Sequence, residues 1–472
     1  MKNIKIYFTG ISVLIIGILI SCNESDIELT NPNQLSTETY FKSSAQLESS
    51  VTAAYAYLQE VGNYARYQFY INDNIAGENY AAGNLEADKV QMINRDIDEA
   101  NNGNNQYWDH NYKGIGRCNF VIDSESSFEN IDATEITQRL GEIRFLRALY
   151  YFNIVTKYGE VPLVLSSETV AGGRPKSSIT DIYAAIVTDL QFATTNLPAK
   201  GTQEVGRATS GAAWALLGKV LLQNDDASGA KTALANVTGY SLVDNYIDNF
   251  TVSGEHNDES IFEIHYDEST GAGDSWNQDG LGNSETSFRA QEYSGWYNVK
   301  PSQTLLDEFE DGDTRYSDTF YSINDNDNGT MTNIYNKGTT TFTSGTIGPD
   351  DNPAWRKYQN LDNRAAETTE SGINARVIRY ADVLLMKAEA EIRSGGTESV
   401  ALGYLNEVRN RASVSMPAIS VSGAPAILDA IKHERWVELA GEQSRYLDLQ
   451  RFDGFTYLMP IPNIELQANT NL

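Results

Sequence analysis

The sequence predicts a mainly α-helical protein, a scaffold of helical hairpins that carries one irregular, loop-rich subdomain. Two observations support this. Apolar side chains recur at helical spacing toward both ends of the chain, as in Ile143, Leu146, Tyr150, Ile154 and Tyr158. Between Ser241 and Arg376 the texture turns to Gly, Asn, Asp and Thr, with turn signals at Asp279-Gly280, Asp311-Gly312 and Asn328-Gly329.

At the N-terminus, Lys2 and Lys5 precede an apolar run from Ile11 to Ile20, broken only by Ser12 and Gly17. A membrane-spanning helix needs roughly 20 apolar residues, so this run fits the core of a secretory signal instead. Leu19-Ile20-Ser21-Cys22 resembles the lipobox of bacterial lipoproteins. Residues 1–21 therefore read as a lipoprotein signal peptide and Cys22 as the acylated first residue of the mature chain. Each buried CH₂ of an acyl chain such as palmitate contributes about 0.8 kcal/mol, so several chains on Cys22 would anchor the protein without a spanning helix. The acidic residues Glu24, Asp26 and Glu28 resemble surface-export signals of Bacteroidetes-type lipoproteins, and residues 22–40 read as a tether.

Residues 41–240 form the first helical region. The stripe from Ile143 to Tyr158 ends at Gly159, where a helix C-cap belongs, and "VPLVL" beyond it reads as a short strand or extended turn. Trp214, Leu217, Gly218 and Leu221 match the W-x₂-L-G-x₂-Y helix of a tetratricopeptide repeat, with Leu in the last place. Ala230 falls where the second helix of that pair needs a small residue, and Leu190, Ala193 and Pro198 have the spacing of a preceding second helix. Residues 71–106 are polar and read as a long loop. Residues 241–376 form the loop-rich insertion, with helical periodicity only around Thr304 to Glu310. A second helical region covers 377–472. Its first hairpin spans Ile378 to Ala412, with Ile378, Ala381, Leu385, Ala388 and Ile392 on one stripe and a turn at Gly395-Gly396.

Composition excludes several functions. The formal charge is −29, and loss of Lys2 and Lys5 with the leader makes it −31. Such a surface repels nucleic acid, so no nucleic-acid partner is expected. Besides Cys22 only Cys118 remains, too few for a disulfide or a cysteine metal cage. No Walker loop, G-x-S-x-G or complete G-x-G-x-x-G occurs, and no cofactor is implied. "HERWVE" places Val437 where H-E-x-x-H needs histidine. "NDNDNG" (324–329) places Tyr335 where a calcium loop needs glutamate.

Glu434, Glu438 and Glu442 repeat every four residues, so three like charges share one helix face. They call for cations, and Arg435, Arg445, Arg451, Arg144, Arg147 and Arg379 are available. An ion network locking helices together is expected, with a catalytic carboxylate pair as the alternative.

Aromatic residues point to a ligand. Trp276, Phe288, Tyr293, Trp296 and Tyr297 cluster in Gly/Ser/Asn-rich sequence, and Tyr64, Tyr67, Tyr70 and Tyr80 approach the other polar stretch. Flat apolar faces among amides and carboxylates suit a sugar, whose C–H face stacks while its hydroxyls find hydrogen bonds. Trp276, Trp296, Tyr297, Tyr293 and Tyr80 are the candidate ligand-binding residues. The negative charge favours a neutral glycan, although Arg66, Lys89, Arg95 and Arg289 could reverse that locally.

The chain resembles the SusD/RagB family of outer-membrane lipoproteins in a series of ordered blocks. "YWDHNYKGIGRCNFVID", "GEIRFLRALYYFNIVTKYGEVPLVL", "RATSGAAWALLGKVLL", "IRYADVLLMKAEAEIR", "LNEVRNRA", "ERWVELAGEQSRYLDLQR" and "LMPIPNIELQAN" follow in family order. The resemblance implies a SusD-like fold, cell-surface location, and capture of oligosaccharides for a SusC-like TonB-dependent transporter, without catalysis. Starch-binding relatives tend to place a tryptophan in the first loop, and residues 71–107 contain none, so starch is not the expected ligand. The alternatives are a surface glycoside hydrolase or polysaccharide lyase using paired loop carboxylates, and a peptide-binding lid of a similar transporter.

Overall fold

Short polar side chains start the helices. Asn101, Asp132, Ser178, Thr209 and Asp226 each accept a backbone N–H from the first turn that follows. A computed structural model describes residues 40–81, 85–267, 298–320, 354–358 and 372–472, with the backbone alone at 284–285, 321, 330–332, 339–341 and 370–371.

The helices are α1 (Ser44–Ala56), α2 (Ala87–Asn94), α3 (Asn102–Asp123), α4 (Ala133–Tyr158), α5 (Ile179–Asn196), α6 (Ser210–Gln223) and α7 (Ala227–Ala235). After the loop-rich region come α8 (Tyr380–Arg393), α9 (Glu398–Arg409), α10 (Ala424–Glu438) and α11 (Arg445–Asp453). Sequential neighbours pack as hairpins, α4 with α5, α6 with α7 and α8 with α9, and α5–α6 and α7–α8 contacts stack one hairpin on the next. In the hairpin bearing the repeat signature, a Cβ on Gly218 would stand 2.5 Å from Leu234. Only glycine permits that approach, and Ala230 beside it is fully buried. A main core runs from Phe41 to Met459, and a smaller one binds α8, α9 and α10 through Leu385, Ala388, Leu405, Val408, Ile427 and Ile431.

Three expectations need correction. The hairpin expected from Ile378 begins at Tyr380, because Ile378 lies in strand β6 (Ala375–Arg379). The strand runs straight into the helix, with Arg379 as both its last residue and the helix N-cap. Residues 71–106 do not form one long loop. They contain a buried π-helical turn (Tyr70–Asn74), α2, and the start of α3. Tyr64, Tyr67 and Tyr70 are interior residues and line no polar loop.

Parts of 241–376 also belong to the core. Strand β2 (Ser260–Ile264) is buried along its whole length and pairs antiparallel with β6. Its five residues, Ser-Ile-Phe-Glu-Ile, are too few to carry a clear period and include the buried Glu263, which is why it could not be read as strand or helix from sequence.

Candidate functional site

Four short strands form a platform at the roots of the loop-rich region. β1 (Asn79–Ala81) pairs antiparallel with β3 (Val299–Pro301), placing Tyr80 opposite Lys300. β4 (Phe320–Tyr321) pairs antiparallel with β5 (Ala354–Trp355), placing Phe320 opposite Trp355. The two pairs are fastened together, since Trp355 donates Nε1–H to Asn79 Oδ1 at 2.7 Å, and Asn79 donates to Asn74 Oδ1 at 2.9 Å. Trp355 packs against Phe320 at 5.2 Å and edge-on to Phe69 at 6.5 Å.

Alternation along β1 decides what each side chain does. Asn79 turns inward to Trp355. Tyr80, half-buried, lies on the opposite face, with the Lys300 ammonium 5.8 Å from its ring centroid. Of the candidate ligand residues, Tyr80 alone falls among the described residues. Trp276, Tyr293, Trp296 and Tyr297 lie outside them, as do Cys22, Arg289 and the stretch 324–329.

The nearby cations have local partners. Lys89 is 3.1 Å from Glu86 and 4.8 Å from the Tyr70 ring centroid, and burial lowers its pKa. Arg95 donates Nε–H to the Ile75 carbonyl at 2.8 Å and lies over Phe455. Arg66 is buried.

The turn after α10 ties this platform to the scaffold. Gly441 N–H donates to Glu78 Oε2 at 3.0 Å, just before β1. Lys357, just after β5, donates to the Ala440 carbonyl and to Glu442 Oε1, both at 2.7 Å. Burial, only partly opposed by the Gly441 hydrogen bond, pushes the Glu78 carboxyl up to about 7.

Glu442 leads into a buried ion network. Glu434 meets Arg315 at 2.6 Å and Arg409 at 2.7 Å, while Glu438 meets Arg315, Arg379 and Arg411 at 2.8, 2.6 and 2.8 Å. Glu259 at the foot of β2 meets Arg379 at 2.7 Å and Arg411 at 2.6 Å. Burial alone would raise the Glu438 carboxyl, but Arg411, Arg379 and Arg315 outweigh it and hold it well below the usual range. Glu434 and Glu438 have no exposed surface, and guanidinium groups occupy their oxygens. The expected network is present, and it leaves this pair no route to a substrate. Of the cations expected there, only Arg379 serves these glutamates. Arg435 and Arg451 instead bind Asp382, Asp448 and Glu389. Arg315, Arg409, Arg411 and Lys357 were not foreseen.

Among the described residues, no group of three or more His, Cys, Asp or Glu is arranged to hold a metal. None of the described helices is long and apolar enough to cross a membrane.

Stacked helical hairpins supporting a strand platform at the base of the loop-rich region define a helical-hairpin scaffold. Comparison with known proteins agrees. Residues 258–471 match the model described as the SusD family, and residues 27–222 match one described as starch-binding associating with outer membrane. SusD-like protein P2 of Formosa agariphila is 27% identical, over 100% of this chain and 99% of its own. A SusD superfamily crystal structure from Bacteroides vulgatus aligns with TM-score 0.76 and 25% identity, covering 92% of this chain and 98% of that one. A laminarin-binding SusD-like protein aligns with TM-score 0.75 and 27% identity, covering 91% and 98%. The chain belongs to the SusD-like family.

Proposed function

We propose that the protein is a cell-surface glycan-binding lipoprotein of the outer membrane, which captures oligosaccharides and passes them to a SusC-like TonB-dependent transporter without cleaving them. The observation that carries this reading is the full-length correspondence to SusD-like proteins, one of them named for laminarin binding. The lipobox at Leu19–Cys22 and the outer-membrane association in one family description support the location. The acidic surface favours a neutral glycan.

In this reading Tyr80, Trp276, Tyr293, Trp296 and Tyr297 contact the sugar. Engagement of Glu434 and Glu438 by arginines argues against that helix pair as catalysts, and product analysis tests the loop carboxylates. Affinity electrophoresis across a panel of neutral and acidic polysaccharides, with product analysis on the same samples, tests it. Retardation without shortened chains is expected, and steady accumulation of shorter products would assign the protein to the enzymes.

A further inference from the structure

A cleft of about 460 Å³ opens on the helical scaffold, and none of its lining residues belongs to the strand platform. It lies between α1, the turn after it, the 204–207 loop and the end of β2. The volume falls within the roughly 300–1,000 Å³ of small-molecule sites. A smaller space of about 200 Å³ lies along β2, and Glu204 to Arg207 line both, so that loop stands between them. His265 precedes the 268–297 stretch and Asn298 follows it, so cleft and platform stand at the two ends of one chain segment.

The chemistry of the lining narrows the ligand. Its cations are already engaged. Arg207 gives Nε–H to Glu204 at 2.8 Å and Nη1–H to Glu142 at 2.9 Å, and its Nη2 faces Glu48. Lys200, beside the smaller space, donates to the carbonyls of Asn257 and Ser260 at 2.6 and 3.1 Å. Among the described residues, each cation beside the cleft is thus already hydrogen-bonded within the protein.

Two of the carboxylates are likewise held, Glu48 by Arg139 at 2.6 Å and Glu263 by Asn374 at 2.9 Å. What remains is mostly uncharged. The His265 imidazole makes no hydrogen bond among the described residues. Gln59 donates its amide N–H to the His265 carbonyl at 2.5 Å, leaving its own oxygen to accept. Glu204, its side chain 74% exposed, stands at the rim.

Apolar surface completes the wall. Val205 is 64% exposed at the mouth, with Ile264 and Leu58 behind it. Tyr55 is fixed, since its hydroxyl donates to Glu142 at 2.9 Å and accepts from Ala208 N–H at 3.0 Å. Uncharged donors and acceptors around an apolar face suit a ring with C–H faces and equatorial hydroxyls.

We propose that this cleft is a second carbohydrate site, taking a short neutral oligosaccharide whose ring rests on Val205 and Ile264 and whose hydroxyls meet His265, Gln59 and Glu204. The proposal rests on the glycan-binding reading but uses none of its residues.

Calorimetric titration of the full chain with laminarihexaose, maltohexaose and cellohexaose tests it. Two sites are expected for the sugar that binds. His265→Ala with Gln59→Ala removes two hydrogen-bonding groups and should weaken one site by about three- to tenfold or more, leaving the other unchanged. Val205→Trp at the exposed mouth should block that site without disturbing the core, with circular dichroism verifying the fold. Conversely, Trp276→Ala with Trp296→Ala should spare the cleft. A single site indifferent to the cleft variants, or two sites both indifferent to them, would overturn this inference and leave the glycan-binding reading standing. Absence of binding to every sugar, including the polysaccharide panel, would overturn both.

Discussion

Trp355 and Asn79, 276 positions apart in the chain, share a 2.7 Å hydrogen bond inside the protein, and neither is exposed to solvent beyond a trace. The bond joins the strand pair at the root of one insertion to the pair at the root of another. Asn79→Leu would leave the indole N–H buried without an acceptor and Asn74 without its donor. An orphaned buried polar group costs about 1–3 kcal/mol. Guanidinium unfolding followed by tryptophan fluorescence should register that loss. An unaltered midpoint would mean that ring packing alone holds the platform.

Arg379 binds three carboxylates of the buried network, Glu259, Glu438 and Glu442. Arg379→Met keeps most of the volume but leaves three carboxylates short of charge. Removing one partner of a buried pair costs about 3–5 kcal/mol, because the remaining charge stays buried. Chemical denaturation should show a loss of that size. Replacing Arg379 and its carboxylates together by apolar groups should recover much of it.

This network and the neighbouring Arg435–Arg451 cluster set the response to acid. The carboxyls of Glu438, Glu259, Asp382 and Asp448 are held below the usual range by neighbouring cations, although burial opposes this. Groups with depressed folded values contribute stability above their unfolded pKa, and lose it as pH falls through the folded value. Thermal melts should therefore decline progressively from about pH 4.5 downward. The decline should be shallower in Glu438→Gln, which starts from a lower melting temperature.

Much of the scaffold was legible from sequence, and the failures have physical causes. Helical stripes and the Trp214–Leu221 signature located the hairpins, because an interior helix face repeats at 3.6 residues whatever it packs against. Residues 71–106 misled because their asparagines read as loop, whereas several polar side chains are interior. Asn101 caps α3, and the Asn104 amide donates to the Pro460 carbonyl at 2.9 Å. Tyr67 and Tyr70 beside them form local core, the alternative that any aromatic in polar sequence carries. For the site, Glu434 and Glu438 were visible as a local period on α10. The helix ends at Glu438 and Glu442 lies in the turn beyond it, so the expected three-glutamate helix face is not formed. Arg315, Lys357 and Glu259 reach the cluster from distant segments. Nothing in spacing announces such pairings. The cleft between Val205 and His265 was equally hidden, since tertiary folding alone brings its loop to α1.

His433 should give the protein a second, opposite pH dependence. Its ring nitrogens lie 2.8 Å from Glu308 and 3.1 Å from Glu310, with Glu434 nearby, while Arg409 binds Glu310 and Glu434. The Glu308 hydrogen bond leads in raising the imidazole pKa above 6.5, against the pull of burial. A raised folded value contributes stability below the unfolded pKa, which disappears as pH rises through the folded value. Melting temperature should fall between pH 6 and pH 9 in the native protein and remain flatter in His433→Gln. Equal slopes in both would show that another group titrates there.

Sugar contact itself is tested by the two indoles of the insertion. Trp276→Ala with Trp296→Ala should weaken glycan binding by about 1–3 kcal/mol, the range for removing a large apolar face from a ligand. Tyr80→Ala should act in the same direction but less, since a half-buried ring offers less surface. Unchanged affinity in the double variant would move the main site off these residues.

Gly441 offers the sharpest test of how the platform is coupled to the scaffold. Its φ is +71°, and a Cβ there would stand 2.7 Å from Trp355 Cζ3. Gly441→Ala therefore combines backbone strain with a collision against the residue that fastens the strand pairs. Gly454, at the end of α11, has a φ of +64° and no heavy atom within 4 Å of the same position. Gly454→Ala thus isolates the conformational penalty, about 1–2 kcal/mol for a left-handed alanine. The extra loss in Gly441→Ala should add about 1–3 kcal/mol for overpacking. It should also redden or broaden the fluorescence of Trp355, measured with the other tryptophans replaced by phenylalanine. If the two alanine variants lose equal stability, the turn shifts freely and does not transmit the position of Trp355. If only Gly441→Ala also lowers glycan affinity, the turn holds the platform in its binding geometry as well as in its fold.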